Sequence, residues 1–311
     1  MHYLKTLYPT LDFGTPIHIE GLTITPISSA PIEAAESDLS HLLDIHAAFE
    51  KGLVSIKEIG ESGSVQEVVV FNNADRPLIL LEGQGLEGAK QNRVLQKTVI
   101  IPANRSLTVP VNCVERGRWN YNSDEFKPAK FSAGPSVKMR KASAMKEGSY
   151  NVQSEVWAGV SEMSERYECH SVTEDMVDVL SQASTKERYD HLEAERIIEG
   201  FNAYGYKVTG GQFEFIELFG RKSWAKEGLK RSLTEWIMDA RCHDTTKPLT
   251  LSILDSDWVN RSSIGLETHW LAMTECTGLS SEYEEKLLHL FCAPNQANVQ
   301  RRRRLPIFDV E

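Results

Sequence analysis

Apolar and polar residues alternate along most of the first half of the chain, a pattern typical of strands with one buried face. Ile17 and Ile19 alternate with polar neighbours, as do Leu22 and Ile24, and Gly21 between the pairs predicts a hairpin turn. Further strand-like runs follow in the order LVSIKEI, QEVVVF, PLILLE, KTVIIPA and SLTVPVNCVE. Because only short turns connect them, these runs predict an antiparallel sandwich or barrel.

The connections between these runs predict two local features. We expect QEVVVF and PLILLE, which are separated by the turn formers of residues 72–75, to pair as an antiparallel hairpin. Before them, apolar side chains recur at helical spacing over residues 39–49. Ser37 or Asp38 can cap this predicted helix, and Gly52 ends it.

Helical periodicity dominates the second half, from about Val137 onward. Amphipathic helices are predicted within 150–166, within 186–202 and over residues 229–240. Strands are predicted for YKVTGGQFEFIELF, as a hairpin around Gly210 and Gly211, and near GLETHWLAM and KLLHLFCA. The pattern therefore predicts an α+β protein.

The predicted regions are an antiparallel β-rich part, residues 1–136, and a helix-rich part with further strands, residues 137–311. The boundary is a change of composition alone, because no long Gly/Ser/Pro linker separates the two parts. One continuous domain is the alternative.

Composition limits the class of protein. The chain has 311 residues, of which 41% are hydrophobic and 25% charged, as in ordinary globular proteins. The formal net charge of -10 argues against a broad electrostatic contact with nucleic acid or with an anionic membrane. No signal-peptide pattern or membrane-spanning run is present, so we expect a cytoplasmic protein. The five cysteines contain no C-x-x-C pair, which favours reduced thiols and predicts no metal site.

One glycine motif suggests a dinucleotide site. The pattern G-x-G-x-x-G-A is formed by Gly83, Gly85, Gly88 and Ala89. Such a turn needs a preceding strand, a helix that opens at the third glycine, and an acidic residue about 20 positions later. Only the strand is present, because the next strand-like run begins at Thr98 and residues 103–105 include no acid. We therefore predict that residues 84–97 form no crossover helix.

Polar side chains surround these glycines and give the loop a different candidate role. A glycine-rich loop that leaves a strand and carries hydrogen-bonding groups is typical of a ligand-binding loop. A wide hairpin loop whose polar residues face water is the alternative.

Two motifs resemble a bacterial family of unknown function. They are Glu82-Gly83 with Gly88-Ala89-Lys90-Gln91-Asn92-Arg93, and then Cys113-Val114-Glu115-Arg116-Gly117-Arg118-Trp119. The family is named for its association with ADP-ribosylglycohydrolases and the rhodanese–phosphatase superfamily. A fainter likeness extends to Gln153, Trp157 and the strand–helix unit at 212–240. The resemblance implies a role near NAD-derived or ADP-ribosylated species and implies no particular reaction.

The two motifs supply the candidate site residues. Arginine forks suit phosphate, and aromatic rings offer a face to a base. The candidate ligand-binding residues are Lys90, Gln91, Asn92, Arg93, Arg116, Arg118 and Trp119, with Tyr121 as a further aromatic face. Glu82 and Glu115 are a candidate catalytic carboxylate pair. In the alternative interpretation, the same two glutamates neutralise Arg93 and Arg118 in a structural salt-bridge network.

Cys113 is expected to be a buried, reduced core residue, because it lies inside an apolar strand. The run Arg301 to Arg304 is expected to be a solvated segment.

Two functional hypotheses remain. In the first, the chain binds a phosphorylated nucleotide or ADP-ribose-derived ligand, and hydrolysis of that ligand is an open extension. In the second, it is a non-catalytic interaction protein whose motif loops are structural. Cofactors, substrate and oligomeric state are not fixed by the sequence.

Overall fold

The computed structural model describes residues 7–146, 151–186, 191–210, 213–241, 270–277 and 287–294. Its strands are β1 (Leu11–Phe13), β2 (Ile17–Ile19), β3 (Leu22–Ser29), β4 (Leu43–Asp44), β5 (Val54–Glu58), β6 (Glu67–Asn72), β7 (Leu78–Leu80), β8 (Gln84–Gly88), β9 (Arg93–Leu95), β10 (Val99–Ile101), β11 (Arg105–Cys113), β12 (Phe126–Ser132), β13 (Gly205–Gly210), β14 (Phe213–Phe219), β15 (Trp270–Thr277) and β16 (Leu287–Pro294). Its helices are α1 (Ala30–Glu36), α2 (Ile45–Glu50), α3 (Pro135–Lys146), α4 (Val152–Arg166), α5 (Met176–Lys186), α6 (His191–Gly200) and α7 (Lys222–Arg241). The predicted α+β class is confirmed.

Six strands of the N-terminal half close into a barrel in the order β11-β6-β5-β12-β8-β9. Sequence alternation builds it, since Val68 and Val70 of β6 are fully buried while Val69 between them is less so. Strand β12 connects β5 to β8 in the barrel, because Phe126 pairs with Ile56 of β5 and with Gly88 of β8. Of the two predicted architectures, a sandwich or a barrel, these strands form the barrel.

The glycine motif lies in a hairpin of this barrel. β8 and β9 pair antiparallel, with Gly85 opposite Val94 and Leu86 opposite Arg93. Residues 84–97 thus contain no crossover helix, as predicted, and a dinucleotide-binding turn is excluded.

A second sheet has the order β1-β3-β13-β14-β16-β15, with β2 paired to β3. The predicted β2–β3 and β13–β14 hairpins are confirmed, although Gly211 lies outside the described residues. Helix α7 covers this sheet with its apolar face, and the Trp236 ring lies 5.2 Å from that of Phe215. Since β3 pairs directly with β13, the N- and C-terminal regions share one sheet. The boundary near residue 136 stays a prediction.

The expected hairpin of QEVVVF with PLILLE is wrong. Strand β6 has β5 and β11 on its two sides, while β7 pairs with β10 and, in parallel, with β4. Asn72 explains the change of sheet. Its buried Nδ2 donates to the carbonyl groups of Arg76, Ile101 and Pro102 at 2.9, 3.1 and 3.0 Å, which fixes the turn beside the end of β10.

The expected helix over residues 39–49 is also wrong in its extent. A short 3-10 turn, Ser37–Leu39, is followed by β4 and only then by α2. The cap is Asp44, whose Oδ1 accepts from His46 N at 2.8 Å. An extended β4, held by the hydrogen bond from Leu43 N to Pro77 O, competes successfully with helix at this point.

Within the described part of the chain, no helix has the length and apolar character needed to cross a membrane. The cytoplasmic location stays a prediction.

Replacing Asn72 by Ala should lower the free energy of unfolding by about 3 kcal/mol, because buried carbonyl and amide groups lose their partner at about 1–3 kcal/mol each. Urea unfolding measures this loss. Asn73→Ala is the matched control, since Asn73 is exposed in the same turn. Equal stability of the two variants would show that Asn72 does not hold the turn.

Candidate functional site

The first motif forms the turn between β8 and β9. Asn92 closes this turn, because its Oδ1 accepts from Gly88 N at 3.0 Å. The hydroxyl of Ser123 accepts from Ala89 N at 2.9 Å and so holds the turn from outside. The side chains of Asn92 and Ser123 therefore satisfy the backbone N–H groups of Gly88 and Ala89 in this turn.

The second motif meets this turn directly. β9 pairs with β11, and the pairing continues as Val114 N donates to Asn92 O at 3.0 Å. Glu115 then accepts from Asn92 N at 3.0 Å through Oε2. The two motif loops therefore meet through the adjacent, paired strands β9 and β11.

Arg118 uses its donors within the protein. Its Nε and Nη2 donate to the two oxygens of Glu115 at 2.7 and 2.6 Å. Its Nη1 donates to the carbonyl groups of Ala89 and Asn120 at 2.7 and 2.9 Å. The bidentate ion pair holds the second motif together. The bond from Arg118 Nη1 to Ala89 O, together with the bond from Asn92 N to Glu115, joins the two loops.

Arg93 is completely buried at the floor of the loops. Its Nη1 donates to Gln91 Oε1 at 2.9 Å, and Glu58 lies 3.7 Å from Nη2. Burial lowers the pKa of Arg93, an effect that nearby Cys113 and Glu58 oppose. Arg93 is thus a buried support, and its acidic partner comes from β5 and not from the motifs.

Cys113 is a free, buried thiol, which confirms the expectation for this residue. Its Sγ lies 3.1 Å from Gln91 Oε1 and 2.9 Å from Glu115 O. Burial raises the pKa of this thiol, and so the side chain stays neutral. The amide of Gln153 binds both backbone groups of Cys113 at 2.8 Å, which docks α4 against the motif.

Three side chains of the motif region form an aromatic and cationic surface. Trp119 and Tyr121 are 41% and 51% exposed. The Nζ of Lys90 lies 5.3 Å from the centre of the Trp119 ring and 5.0 Å from that of Tyr121. The same ammonium donates to the carbonyl groups of Glu61 and Ser62 at 2.7 and 2.8 Å.

Arg116 extends this surface towards α4. Its side chain is 58% exposed and lies 5.3 Å from the Trp157 ring. A single exposed acid, Glu174, approaches it at 3.5 Å. We call Lys90, Arg116, Trp119 and Tyr121 the cation–aromatic surface.

Asp175, which precedes α5, is a site residue that sequence reasoning missed. Its Oδ2 accepts from Asn92 Nδ2 at 3.0 Å, and its backbone forms a β-bridge with Glu115. Burial, followed by the charge of Glu115, raises the pKa of Asp175 from 3.8 to about 6. Only long-range packing brings it to the motif loops, and no local pattern marks it.

Glu82 lies in a different cluster from Glu115. It is buried and forms an ion pair with Lys141 of α3, and His289 Nδ1 lies 3.9 Å from its Oε2. Lys141 also donates to Gln96 O at 2.9 Å. Neither Lys141 nor His289 belongs to the motifs. The alternative interpretation is therefore wrong in pairing Glu82 with a motif arginine.

Further buried ionisable groups surround Glu82. Lys138 donates to Glu217 Oε1 at 2.6 Å, and His289 Nε2 lies 2.9 Å from the same oxygen. Burial opposes the charge of Glu217, but Lys138 and His289 together hold its pKa down at about 2. Burial lowers the pKa of Lys141. We call Glu82, Lys138, Lys141, Glu217, Glu235 and His289 the buried charge cluster.

A sequence signal for part of this cluster exists. Ser232, Glu235 and Asp239 recur at helical spacing beside the apolar face of α7, and all three are buried. Polar residues on the covered side of a helix indicate a site or a network. Within the described ranges, no group of three His, Cys, Asp or Glu side chains has an arrangement that could hold a metal ion.

Comparison with known protein families matches residues 10–292 to the domain described as ARG and Rhodanese-Phosphatase-superfamily-associated Protein, ARPP-1. The chain belongs to the ARPP-1 family. The association of this family with ADP-ribosylglycohydrolases loosely fits ADP-ribose metabolism. No curated protein and no solved structure gives a significant match. The ARPP-1 match covers the barrel, both motif loops and all of the buried charge cluster.

Arg118→Ala should lower the free energy of unfolding by about 2 kcal/mol, because the half-buried bidentate ion pair with Glu115 is lost and a buried carboxylate is left without its cation. Thermal unfolding measures this loss. Arg105→Ala is the control, since Arg105 is exposed at the opposite end of β11. A melting temperature of Arg118→Ala equal to that of the control would contradict a structural role.

Asp175→Asn should gain stability relative to the wild type as the pH rises. The folded-state pKa of Asp175 is raised, so folding retains a proton that the unfolded chain releases above about pH 4, and wild-type stability falls until about pH 6. The advantage of the variant should grow by about 2 kcal/mol between pH 4 and pH 7. Asn retains the cap on α5, where Asp175 Oδ1 accepts from Val177 N.

Denaturant unfolding of both proteins at several pH values measures the change. Asp178→Asn is the control, because Asp178 is exposed on the same helix. A constant difference between Asp175→Asn and the wild type across this range would contradict the raised pKa.

Proposed function

We propose that this ARPP-1 protein binds a phosphorylated nucleotide or ADP-ribose-derived ligand at the cation–aromatic surface. The observation that carries the proposal is the pair of half-exposed aromatic rings, Trp119 and Tyr121, each about 5 Å from the ammonium of Lys90, whose side chain is itself buried. An exposed ring offers a face on which a base can stack, and stacking is typically worth about 1–3 kcal/mol per base.

The charges of this region support an anionic ligand. Arg116 is exposed and has one exposed acid as partner, so its remaining donors face solvent. A phosphate can take a bidentate contact from such a guanidinium. The protein as a whole carries a net charge of -10, and a local cationic site therefore stands out against its surroundings.

The other motif residues support this surface from below. The hydrogen bonds of Gln91, Asn92, Arg93, Glu115 and Arg118 go mainly to one another, to Asp175 and to backbone groups, although the buried Nε of Arg93 has no partner among the described residues. In this proposal they position Arg116 and Trp119, which contact the ligand, while buried Lys90 places a positive charge close to the two aromatic rings. The association of the family with ADP-ribosylglycohydrolases supports the choice of an ADP-ribose-derived ligand.

A non-catalytic interaction module is the second candidate function. The observation that favours it is the saturation of Arg118 and the burial of Arg93, which a purely structural network also requires. In that case the exposed rings serve as a contact for another protein and no small phosphorylated ligand binds.

Trp119→Ala and Arg116→Ala should each weaken binding of ADP-ribose about tenfold, since each removes a contact of about 1.5 kcal/mol. Neither should lower the melting temperature by much, because both side chains are exposed. Isothermal titration calorimetry with ADP-ribose, ADP and AMP measures affinity, with Arg105→Ala as the exposed-arginine control. Absence of binding by the wild type to all three compounds would end the ligand proposal and favour the interaction module.

A further inference from the structure

Three polar side chains lie at one end of the barrel interior. Arg93 lies two residues from Leu95 on β9 and so faces the same way, into the buried barrel core to which Leu95 belongs. Glu58 stands in the same relation to Ile56 on β5. Cys113 pairs directly with Arg93, and Glu58 lies 3.7 Å from Arg93 Nη2. We call Glu58, Arg93 and Cys113 the polar end of the barrel.

A loop covers the polar end of the barrel. We call this loop, residues 59–66 between β5 and β6, the strap. Its backbone lies against Glu58 and Lys90, because a Cβ added to Gly63 would be 3.1 Å from Glu58 Oε2 and 3.2 Å from Lys90 Cδ. On the outer side, residues 60–62 are exposed. The strap therefore lies between these side chains and solvent.

Two cations hold the strap by its carbonyl groups. Lys90 Nζ donates to Glu61 O and Ser62 O at 2.7 and 2.8 Å. Arg93 Nη2 donates to Ser64 O at 3.3 Å. Both cations thus spend donors on neutral carbonyl groups of a single loop.

Two buried polar atoms beneath the strap have no partner among the described residues. They are Arg93 Nε, a donor, and Glu58 Oε2, an acceptor. The two side chains are 0% and 2% exposed. Buried polar groups are nearly always satisfied in folded proteins. The closed position of the strap therefore leaves a cationic donor and a carboxylate acceptor unsatisfied at the same place.

These groups match the chemistry of a sugar phosphate. Lys90 and Arg93 carry donors only, and a hydrogen bond from either to an oxyanion is stronger than one to a neutral carbonyl group. A carboxylate carries acceptors only, so the free oxygen of Glu58 suits a hydroxyl group. A phosphate attached to a sugar brings both the oxyanion and the hydroxyl.

The polar end of the barrel adjoins the cation–aromatic surface. The centre of the Trp119 ring lies 5.7 Å from Arg93 Cζ and 5.3 Å from Lys90 Nζ. A ligand whose base stacks on Trp119 can therefore place a phosphate at these two cations once the strap has moved.

The backbone of the strap suits such a movement. Gly60 and Gly63 have φ angles of 64° and 74°, in the left-handed region that glycine adopts readily. Hinges absorb their change of backbone angle at a few loop residues, which are often small. The released carbonyl groups would bind water, because residues 60–62 already face solvent.

We propose that the polar end of the barrel is a phosphate-binding subsite that the strap closes. Lys90 and Arg93 bind the phosphate of a sugar phosphate in place of the strap carbonyl groups, and Glu58 accepts from a sugar hydroxyl group. The subsite rests on the proposed function for the rest of the ligand, whose base stacks at the cation–aromatic surface.

Lys90→Met tests the phosphate contact, because methionine keeps an apolar stem of similar length and lacks the ammonium. Calorimetry with ribose 5-phosphate should give an affinity at least about tenfold below that of the wild type, the usual effect of losing a hydrogen bond to a charged group. Lys130→Met is the matched control, since Lys130 is an exposed lysine of β12. Equal affinities of the two variants would overturn the subsite.

Inorganic phosphate is the second probe and separates free phosphate from a sugar phosphate. It should bind more weakly than ribose 5-phosphate, because it brings no sugar hydroxyl group to Glu58. Equal affinities of the wild type for the two compounds would overturn the contact between Glu58 and the sugar.

Gly63→Leu tests the strap. A side chain at residue 63 has no room against Glu58 and Lys90, so the closed position is lost and ribose 5-phosphate should bind about fivefold more tightly. Gly60→Leu is the matched control, because Gly60 is also left-handed but has no atom within 4 Å of an added Cβ. An affinity of Gly63→Leu that equals or falls below that of Gly60→Leu would overturn the closing role of the strap.

Proteolysis of the wild type measures opening without a strap variant. A glutamate-specific protease should cut after Glu61 faster when ribose 5-phosphate is present, with the fragments identified by mass spectrometry. Lys90→Met should be cut rapidly without the compound, because two carbonyl groups of its strap have lost their donor. Unchanged or slower cleavage of the wild type with ribose 5-phosphate would show that the phosphate does not displace the strap.

The outcomes separate the subsite from the proposed function. Trp119→Ala should leave the affinity for ribose 5-phosphate unchanged, since this compound has no base, and should weaken that for ADP-ribose. Binding of ADP-ribose that Lys90→Met does not weaken would overturn the subsite alone. Lys90-dependent binding of ribose 5-phosphate without binding of ADP-ribose would overturn the proposed function alone. Binding of neither compound would overturn both.

Discussion

The contact between the β8–β9 turn and the turn after β11 governs the architecture of the motif region. It depends on Glu115, which accepts from Asn92 N on one side and from the Arg118 guanidinium on the other. One carboxylate therefore joins two loops and neutralises an arginine at the same time. Because β9 and β11 already pair, Glu115 continues the sheet with side-chain bonds where the backbone ladder ends. Every exposed group of the cation–aromatic surface is attached to one of these loops.

This contact separates the motif residues by what they do. Arg93 and Arg118 are consumed inside the protein, and a ligand would have to compete with existing bonds to reach them. Lys90 is partly consumed, since two carbonyl groups hold its ammonium between the aromatic rings. Among the residues of the two motifs, Arg116 and Trp119 have side chains with substantial exposure to solvent. A basic motif can thus be mostly structural, with a few residues left for recognition.

The sequence predicted what depends on local pattern. Alternation located three of the six barrel strands, β5, β6 and β11, and both glycine-centred hairpins, but it did not predict β8, β9 or β12. The spacing around residues 84–97 excluded a crossover helix. Local pattern failed at two places where a polar side chain makes specific hydrogen bonds. Asn72 holds the turn after β6 beside the end of β10, and Asp44 caps α2 after β4. Site partners such as Glu58 and Asp175 come from distant segments, so motif spacing does not reveal them.

The charges of the buried charge cluster do not balance if every carboxyl group in it is ionised. Glu82, Glu217 and Glu235 would carry three negative charges if all were ionised, against two from Lys138 and Lys141. A low-dielectric interior penalises the unmatched charge, and a single proton removes it. Lys138 and His289 already favour the ionised form of Glu217, while Glu235 has an acid, Asp239, as its neighbour. The raised pKa of Glu235 agrees with this imbalance, because Glu235 is the carboxyl group of the cluster that has no matched cation.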